Sequence, residues 1–222
     1  MRWIYRLERK LGRNFGVADL MKYVTATMLA VYVLHLLAMP DLYNFMIFYR
    51  DSILSGEFWR VFTFTILPPF AGGPLFVLLT LFIAYRIGTS LEYAWGKTLF
   101  TMYFILGMLG AIAAGFISGV GTNEYVLVSL ILAFCYLNPN ATFLLFFILP
   151  VKAKYIAIVN WAFFAWRFIQ GDMSTRLAIV FSLINFFLFF GPEVWKIIRQ
   201  NYQASNRRRK YQKSWGDNNP WR

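Results

Sequence analysis

The chain has 222 residues, of which 59% are hydrophobic and only 14% charged, with a formal net charge of +12. A soluble domain of this length needs far more charge to cover its surface, so the composition excludes an ordinary soluble fold. It also turns the basic excess away from nucleic acid, because Lys and Arg that crowd beside long apolar runs mark the cytoplasmic flank of a membrane.

Residues 23–40, 61–85, 98–123, 125–151 and 177–192 contain no Asp, Glu, Lys or Arg. Crossing roughly 30 Å of hydrocarbon takes about 20 apolar residues, and most of these runs reach or approach that length. The expectation is one all-α membrane bundle over 20–195. A basic amphipathic cytoplasmic segment over 1–19 precedes it, and a basic cytoplasmic tail over 196–222 follows. The first apolar run starts after a long basic stretch and has no small-residue cleavage pattern, so no signal peptide is expected.

In chain order, Trp3, Ile4, Leu7 and Leu11 recur at helical spacing among Arg2, Arg6, Arg9, Lys10 and Arg13. That pattern suits a helix lying in the headgroup region. The first span is predicted over about 20–39 and ends at Pro40 and Asp41. An aromatic-rich loop over about 41–60 is too apolar for water and too short to span, so it is expected in the outer interface. Span two is predicted over about 70–90, its start broken by Pro68-Pro69 and Gly72-Gly73. Spans three and four follow over about 97–118 and 123–137, then Asn138-Pro139-Asn140 as a turn. Residues 141–150 are expected to form an interfacial return. Span five, Tyr155–Ile169, is about 22 Å long as a helix; Lys152, Lys154 and Arg167 can snorkel to extend it. Span six covers about 175–195.

Six spans with both termini cytoplasmic leave 18 of the 22 Lys and Arg inside and only Arg50, Arg60, Arg167 and Arg176 outside. Dropping span five would put the basic tail outside, against the positive-inside rule.

Gly107, Ala111, Gly115 and Gly119 recur every four residues in span three, a stripe of small side chains that lets another helix approach closely. The single cysteine, Cys135, reads as a small buried apolar residue, and no Cys or His cluster offers a metal site. No phosphate-binding glycine loop implies a cofactor either. Asp172 falls in an outer loop and Glu193 near the inner end of span six, and they outline no proton path of the kind that marks a transporter.

Three stretches carry a resemblance. Gly56-Glu57-Phe58-Trp59-Arg60-Val61-Phe62-Thr63 resembles the Trp-Arg motif that closes the first outer loop of rhomboids and derlins. Gly88-Thr89-Ser90-Leu91-Glu92-Tyr93-Ala94-Trp95-Gly96 is similar to the family's Gly-x-x-Leu-Glu-x-x-x-Gly at the inner end of span two. Asn138-Pro139-Asn140 followed by Pro150-Val151-Lys152-Ala153-Lys154 resembles the approach to span five in prokaryotic rhomboids. The resemblance covers about residues 20–195. It implies a six-transmembrane-helix rhomboid-like bundle in a prokaryotic plasma membrane, with Glu57, Trp59, Arg60, Gly88, Leu91, Glu92 and Gly96 as its fold motifs.

The residues also have a chemistry of their own. Arg60 can bind carbonyls or lipid phosphates while Trp59 anchors at the interface. Glu92 is expected to accept hydrogen bonds from loop amides or to face a neighbouring base.

Rhomboid proteases cut peptide bonds with a Ser in Gly-x-Ser-Gly entering span four and a His on span six, aided by a His and an Asn on span two. A serine hydroxyl needs such a base to become a nucleophile. Here Glu124 falls at the former nucleophile position, span six has no His, and the only His of the chain, His35, lies in span one. Ser118 and Ser129 are expected as packing hydroxyls. Glu124 should begin span four, capped by Thr122 or Asn123.

The resemblance therefore implies a non-proteolytic pseudoprotease that binds transmembrane clients or perturbs local lipid, as derlins do in membrane-protein quality control. Membrane lipids, transmembrane client proteins and a cytosolic partner docking on the tail at Trp215 and Trp221 are the expected partners; Arg207, Arg208, Arg209 and Lys210 of the same tail can instead touch headgroups. The alternatives are an active intramembrane protease with a displaced dyad on Ser118 or His35, and a transporter or channel.

Overall fold

A computed structural model describes residues 15–68, 73–145, 149–191 and 199. Helices dominate, and four of them are long and apolar enough to cross a membrane: α1 (Leu20–Leu37), α5 (Gly73–Trp95), α6 (Lys97–Ser118) and α9 (Met173–Gly191). The chain is a multi-pass integral membrane protein. Its helices are apolar on nearly every face, and the outward faces keep large residues such as Leu36, Leu75, Phe82, Leu109 and Ile184 exposed. A helix that is apolar all round is stable only when lipid or protein surrounds it.

α1 buries Met21, Thr25, Met28, Val31 and Tyr32 on one face against α5. A loop follows, made of α2 (Leu42–Met46), β1 (Phe48–Tyr49), α3 (Arg50–Leu54), α4 (Arg60–Thr63) and a 3-10 turn (Phe64–Ile66). Its end of the bundle is the loop side. α5 is described from Gly73 and runs five residues past the expected 90. The helix continues through the whole Gly88–Trp95 stretch and stops only at Gly96, whose φ of +82° turns the chain into α6.

α6 ends at Ser118, capped by Gly119, and β2 (Val120–Gly121) then pairs antiparallel with β1, Phe48 opposite Gly121 and Tyr49 opposite Val120. This two-rung ladder ties the loop to the top of α6. α7 (Glu124–Leu137) has 14 residues, about 21 Å at 1.5 Å per residue, so it is shorter than the hydrocarbon layer. After the Asn138-Pro139-Asn140 turn, the stretch expected as an interfacial return is an antiparallel hairpin of β3 (Thr142–Leu145) and β4 (Leu149–Lys152). It is closed by Ala153 N–H donating to the Ala141 carbonyl at 2.8 Å. The two small ladders are the departure from an all-α chain.

α8 (Ala153–Gln170) packs against α7. α7 also packs on α5, and α9 closes the bundle against α6 and α7 through an aromatic cluster of Trp95, Tyr103, Tyr136, Phe186, Phe189 and Phe190. Phe100, Tyr103, Leu91, Ala133 and Phe190 are fully enclosed at its centre. Cys135 is buried and free, in keeping with its reading as a small apolar residue.

Candidate functional site

The first turn of α7 faces α9 and α8 at once. Ser182 Oγ of α9 donates to the Tyr125 carbonyl at 2.6 Å, and Arg167 Nε of α8 donates to the Tyr125 hydroxyl at 3.3 Å. Three residues along α9, Asn185 Nδ2 donates to the Tyr103 carbonyl of α6 at 3.2 Å. Tyr103 in turn donates to Ser129 Oγ at 3.1 Å, and Ser129 donates to the Val126 carbonyl at 2.7 Å. A polar seam therefore runs through the apolar bundle where α6, α7 and α9 meet. Low dielectric makes such bonds strong and their loss expensive.

Glu124 is exposed on that first turn, and its N–H donates to Thr122 Oγ1 at 3.2 Å. Of the two residues expected to cap the helix, Thr122 thus bonds a first-turn amide. Asn123 does not: it is buried and its amide donates to the Thr65 and Leu67 carbonyls at 3.0 and 2.9 Å. Those carbonyls end the 3-10 turn before Pro68, so Asn123 staples the loop to α7 instead.

The serine hydroxyls near this turn donate to backbone carbonyls. Ser118 donates to the Ala114 carbonyl at 2.8 Å, as a helix-packing hydroxyl does. His35 lies on α1 and packs edge-on against Tyr43, ring centroids 4.5 Å apart. Burial pushes the Tyr43 phenol up to about 12, with the Tyr32 phenol adding to the effect. Among the described residues, no three His, Cys, Asp or Glu side chains gather as metal ligands.

On the loop side, Arg60 is only 7% exposed. Its Nε meets Glu57 Oε2, and Nη1 donates to the Asn44 and Ile47 carbonyls at 2.5 and 2.9 Å. Of the two ligands its chemistry allows, it has taken carbonyls. Trp59 stays half exposed and donates Nε1 to the Phe45 carbonyl at 3.3 Å. One arginine and one tryptophan thus close a loop of some twenty residues onto itself.

At the opposite end, residues 15–19 form a strap across α5 and α6. Thr98 Oγ1 donates to the Phe15 carbonyl at 2.5 Å, Val17 N–H donates to Thr101 Oγ1 at 3.1 Å, and Asp19 N–H donates to Glu92 Oε1 at 2.6 Å. Glu92 therefore accepts from a loop amide. Gly88 faces Met21 of α1 so closely that an added Cβ would lie 2.7 Å from the Met21 Cβ, and Leu91 is fully buried beside it.

The small stripe of α6 divides. A Cβ on Gly107 would lie 2.9 Å from Val126 Cγ1 and 3.0 Å from Asn185 Nδ2, and one on Gly115 would lie 2.9 Å from Gly121 Cα. Ala111 is buried between them. Gly119 is corrected: it is not a packing position, since nothing lies within 4 Å of its Cβ site. It caps α6 at φ +95°, in the left-handed region that glycine enters without strain.

Ser182, Asn185, Thr98 and Thr101 carry no role in the sequence-based expectations, and Asn123 was expected only as a helix cap. The available signal was an Asn and a Ser three apart inside an otherwise apolar span, since polar side chains at that depth turn toward protein. The expected N-terminal interfacial helix within Arg2–Arg13, Glu193 and the tail residues Arg207–Lys210, Trp215 and Trp221 lie outside the described residues. Comparison with protein-family models yields no match, and a search among curated proteins yields none.

Proposed function

We propose that the chain is a six-span rhomboid-like pseudoprotease, with α7 and α8 as its fourth and fifth spans and both termini cytoplasmic. It holds transmembrane helices or disturbs the lipid around them without cutting. The observation that carries this reading is the contact between α7 and α9. Where a rhomboid protease would set its nucleophile beside its base, this chain has exposed Glu124 and, facing the next residue, Ser182 donating to the Tyr125 carbonyl at 2.6 Å. A hydroxyl already committed to a carbonyl, with no imidazole on its own helix, has nothing to take its proton.

The second part rests on shape. α8 buries little beyond Ala153 and Phe164, and its apolar stretch between Lys154 and Arg167 has 12 residues, about 18 Å as a helix. A span that short draws the bilayer inward around it. Exposed Trp161, Trp166 and Ile169 then offer an apolar flank to a client helix.

The test uses the purified chain in liposomes. A fluorophosphonate probe should label no serine, and crosslinkers placed at Trp59 and Glu124 should capture transmembrane segments. Labelling abolished by a single Ser→Ala change would replace this reading with the active protease. Substrate flux across the liposome would replace it with a transporter. Glu124→Gln should weaken client capture with expression unchanged, and undiminished capture removes Glu124 from the client surface.

A further inference from the structure

The polar seam is closed toward the loop side and open further along α9. Ser182 commits its hydroxyl proton to the Tyr125 carbonyl. Asn185, one turn on, uses only half of its amide. Its Nδ2 donates to the Tyr103 carbonyl at 3.2 Å, while its Oδ1 is buried without a hydrogen-bond partner among the described residues. The amide cannot be turned over, because Oδ1 would then face the Tyr103 carbonyl, acceptor against acceptor. The bundle also makes room for this side chain. Asn185 is 5% exposed, and a Cβ on Gly107 would lie 3.0 Å from its Nδ2.

A matching group lies against the same tyrosine. Trp95 is the last residue of α5, and its Nε1–H is likewise buried without a partner among the described residues. Its ring lies 5.4 Å from the Tyr103 ring and 6.3 Å from the Phe189 ring, and Phe189 follows Asn185 by one helical turn. The indole nitrogen can only donate, and the amide oxygen can only accept. Each is costly to leave unmade in the low dielectric of the bundle.

We propose that Asn185 and Trp95 share internal water. Water accepts from Trp95 Nε1 and donates to Asn185 Oδ1, which satisfies both groups. Apolar cavities stay dry, whereas water with two or more polar partners is a lasting part of a protein interior. The bridge ties the end of α5 to α9, which meet there through the rings of Trp95, Phe189 and Phe190. It gives α9 a third polar hold, beside Tyr125 of α7 and Tyr103 of α6. The site belongs to the bundle core and stands whether or not the pseudoprotease reading does.

The experiment uses the full chain in lipid bilayers with isotope-labelled tryptophan and asparagine side chains. Solid-state NMR reads the magnetisation that passes from water to each side-chain N–H. Trp95→Phe and Asn185→Leu identify the two signals by their loss. Water should reach the Trp95 indole N–H, and Asn185→Leu should cut that transfer by at least half. Trp95→Phe keeps a ring against Phe189 and Phe190, and should cut the transfer to the Asn185 amide by at least half. It reads the same water from the other side where Asn185→Leu fails to fold. An indole N–H that receives nothing from water overturns the proposal, since its bond is then made to the face of a neighbouring ring. Full transfer to either group in a folded variant lacking the other also overturns it, because each would then hold water separately.

Discussion

Two arginines on the loop side of this bundle, Arg60 and Arg167, look alike in sequence, each beside a tryptophan in an aromatic run. Their surroundings differ. Arg60 sits inside the loop, bonded to Glu57 and to two carbonyls, and almost no water reaches it. Arg167 sits on the last turn of α8, half exposed, donating to the Tyr125 hydroxyl at 3.3 Å. The first closes a loop that has no core of its own. The second fastens a helix that rests mainly on Phe164 and Ala153. A charge enclosed with all its partners is a rivet, and a charge shared with solvent is a catch.

Breaking the rivet should have the largest effect. Arg60→Ala leaves the Glu57 carboxylate and the Asn44 and Ile47 carbonyls without their donor, and should cost about 3 kcal/mol of unfolding free energy, read by denaturant titration in detergent. Arg60→Lys should recover less than half of that, because one ammonium cannot reproduce a planar fork.

Next comes the staple between the same loop and α7. Asn123→Ala removes both bonds to the Thr65 and Leu67 carbonyls and should cost about 1–2 kcal/mol in the same titration. An unchanged midpoint would mean that the loop is held by Arg60 and the β1–β2 ladder alone.

The catch should be cheap to undo. Arg167→Ala and Tyr125→Phe should each cost about 0.5 kcal/mol, and the double variant should cost little more than either. Full additivity would show that the two side chains act separately. Crosslinking between α7 and α8 should fall in both single variants while the loop stays protected from protease.

The smallest effect is one of pH. Hydrogen bonds from Thr175, side chain and N–H, hold the Asp172 carboxyl below the usual carboxylate range. Its folded value lies under its unfolded one, so its stabilisation is complete above the unfolded value, about 3.9, and is lost as pH falls through the folded value. Asp172→Asn should lower stability slightly at neutral pH and flatten that acid limb, the two chains converging as pH falls below the folded value.

How much of this was readable beforehand follows from what each feature depends on. The apolar runs became helices at nearly the expected places, because a run without charge in lipid must satisfy its own backbone. α6 begins and ends where expected, at Lys97 and Ser118. α5 overran its expected end because the helix continues past Glu92, which accepts from a loop amide as expected, and stops only at the left-handed Gly96. Residues 141–152 became a hairpin because a stretch too short to span can still pair its backbone with itself. The seam was hidden for a different reason. Ser182 and Asn185 bond to main-chain carbonyls, and a carbonyl carries no letter in the sequence. Gly119 was misread because its spacing of four continues the stripe, while the helix that the stripe needs stops one residue earlier.

The same two bonds set the angular position of α9. Successive residues on a helix turn by about 100°, which brings Ser182 and Asn185 to within roughly 60° of each other on one side. Each grips a rung on a different neighbour, Tyr125 on α7 and Tyr103 on α6. Like the cuts of a key, they admit a single setting: turning α9 by one residue in either direction strips both together. Rolling is therefore closed to this helix. α8 has no such pair of polar grips on α7: Arg167 reaches it at the Tyr125 hydroxyl, at the last turn alone.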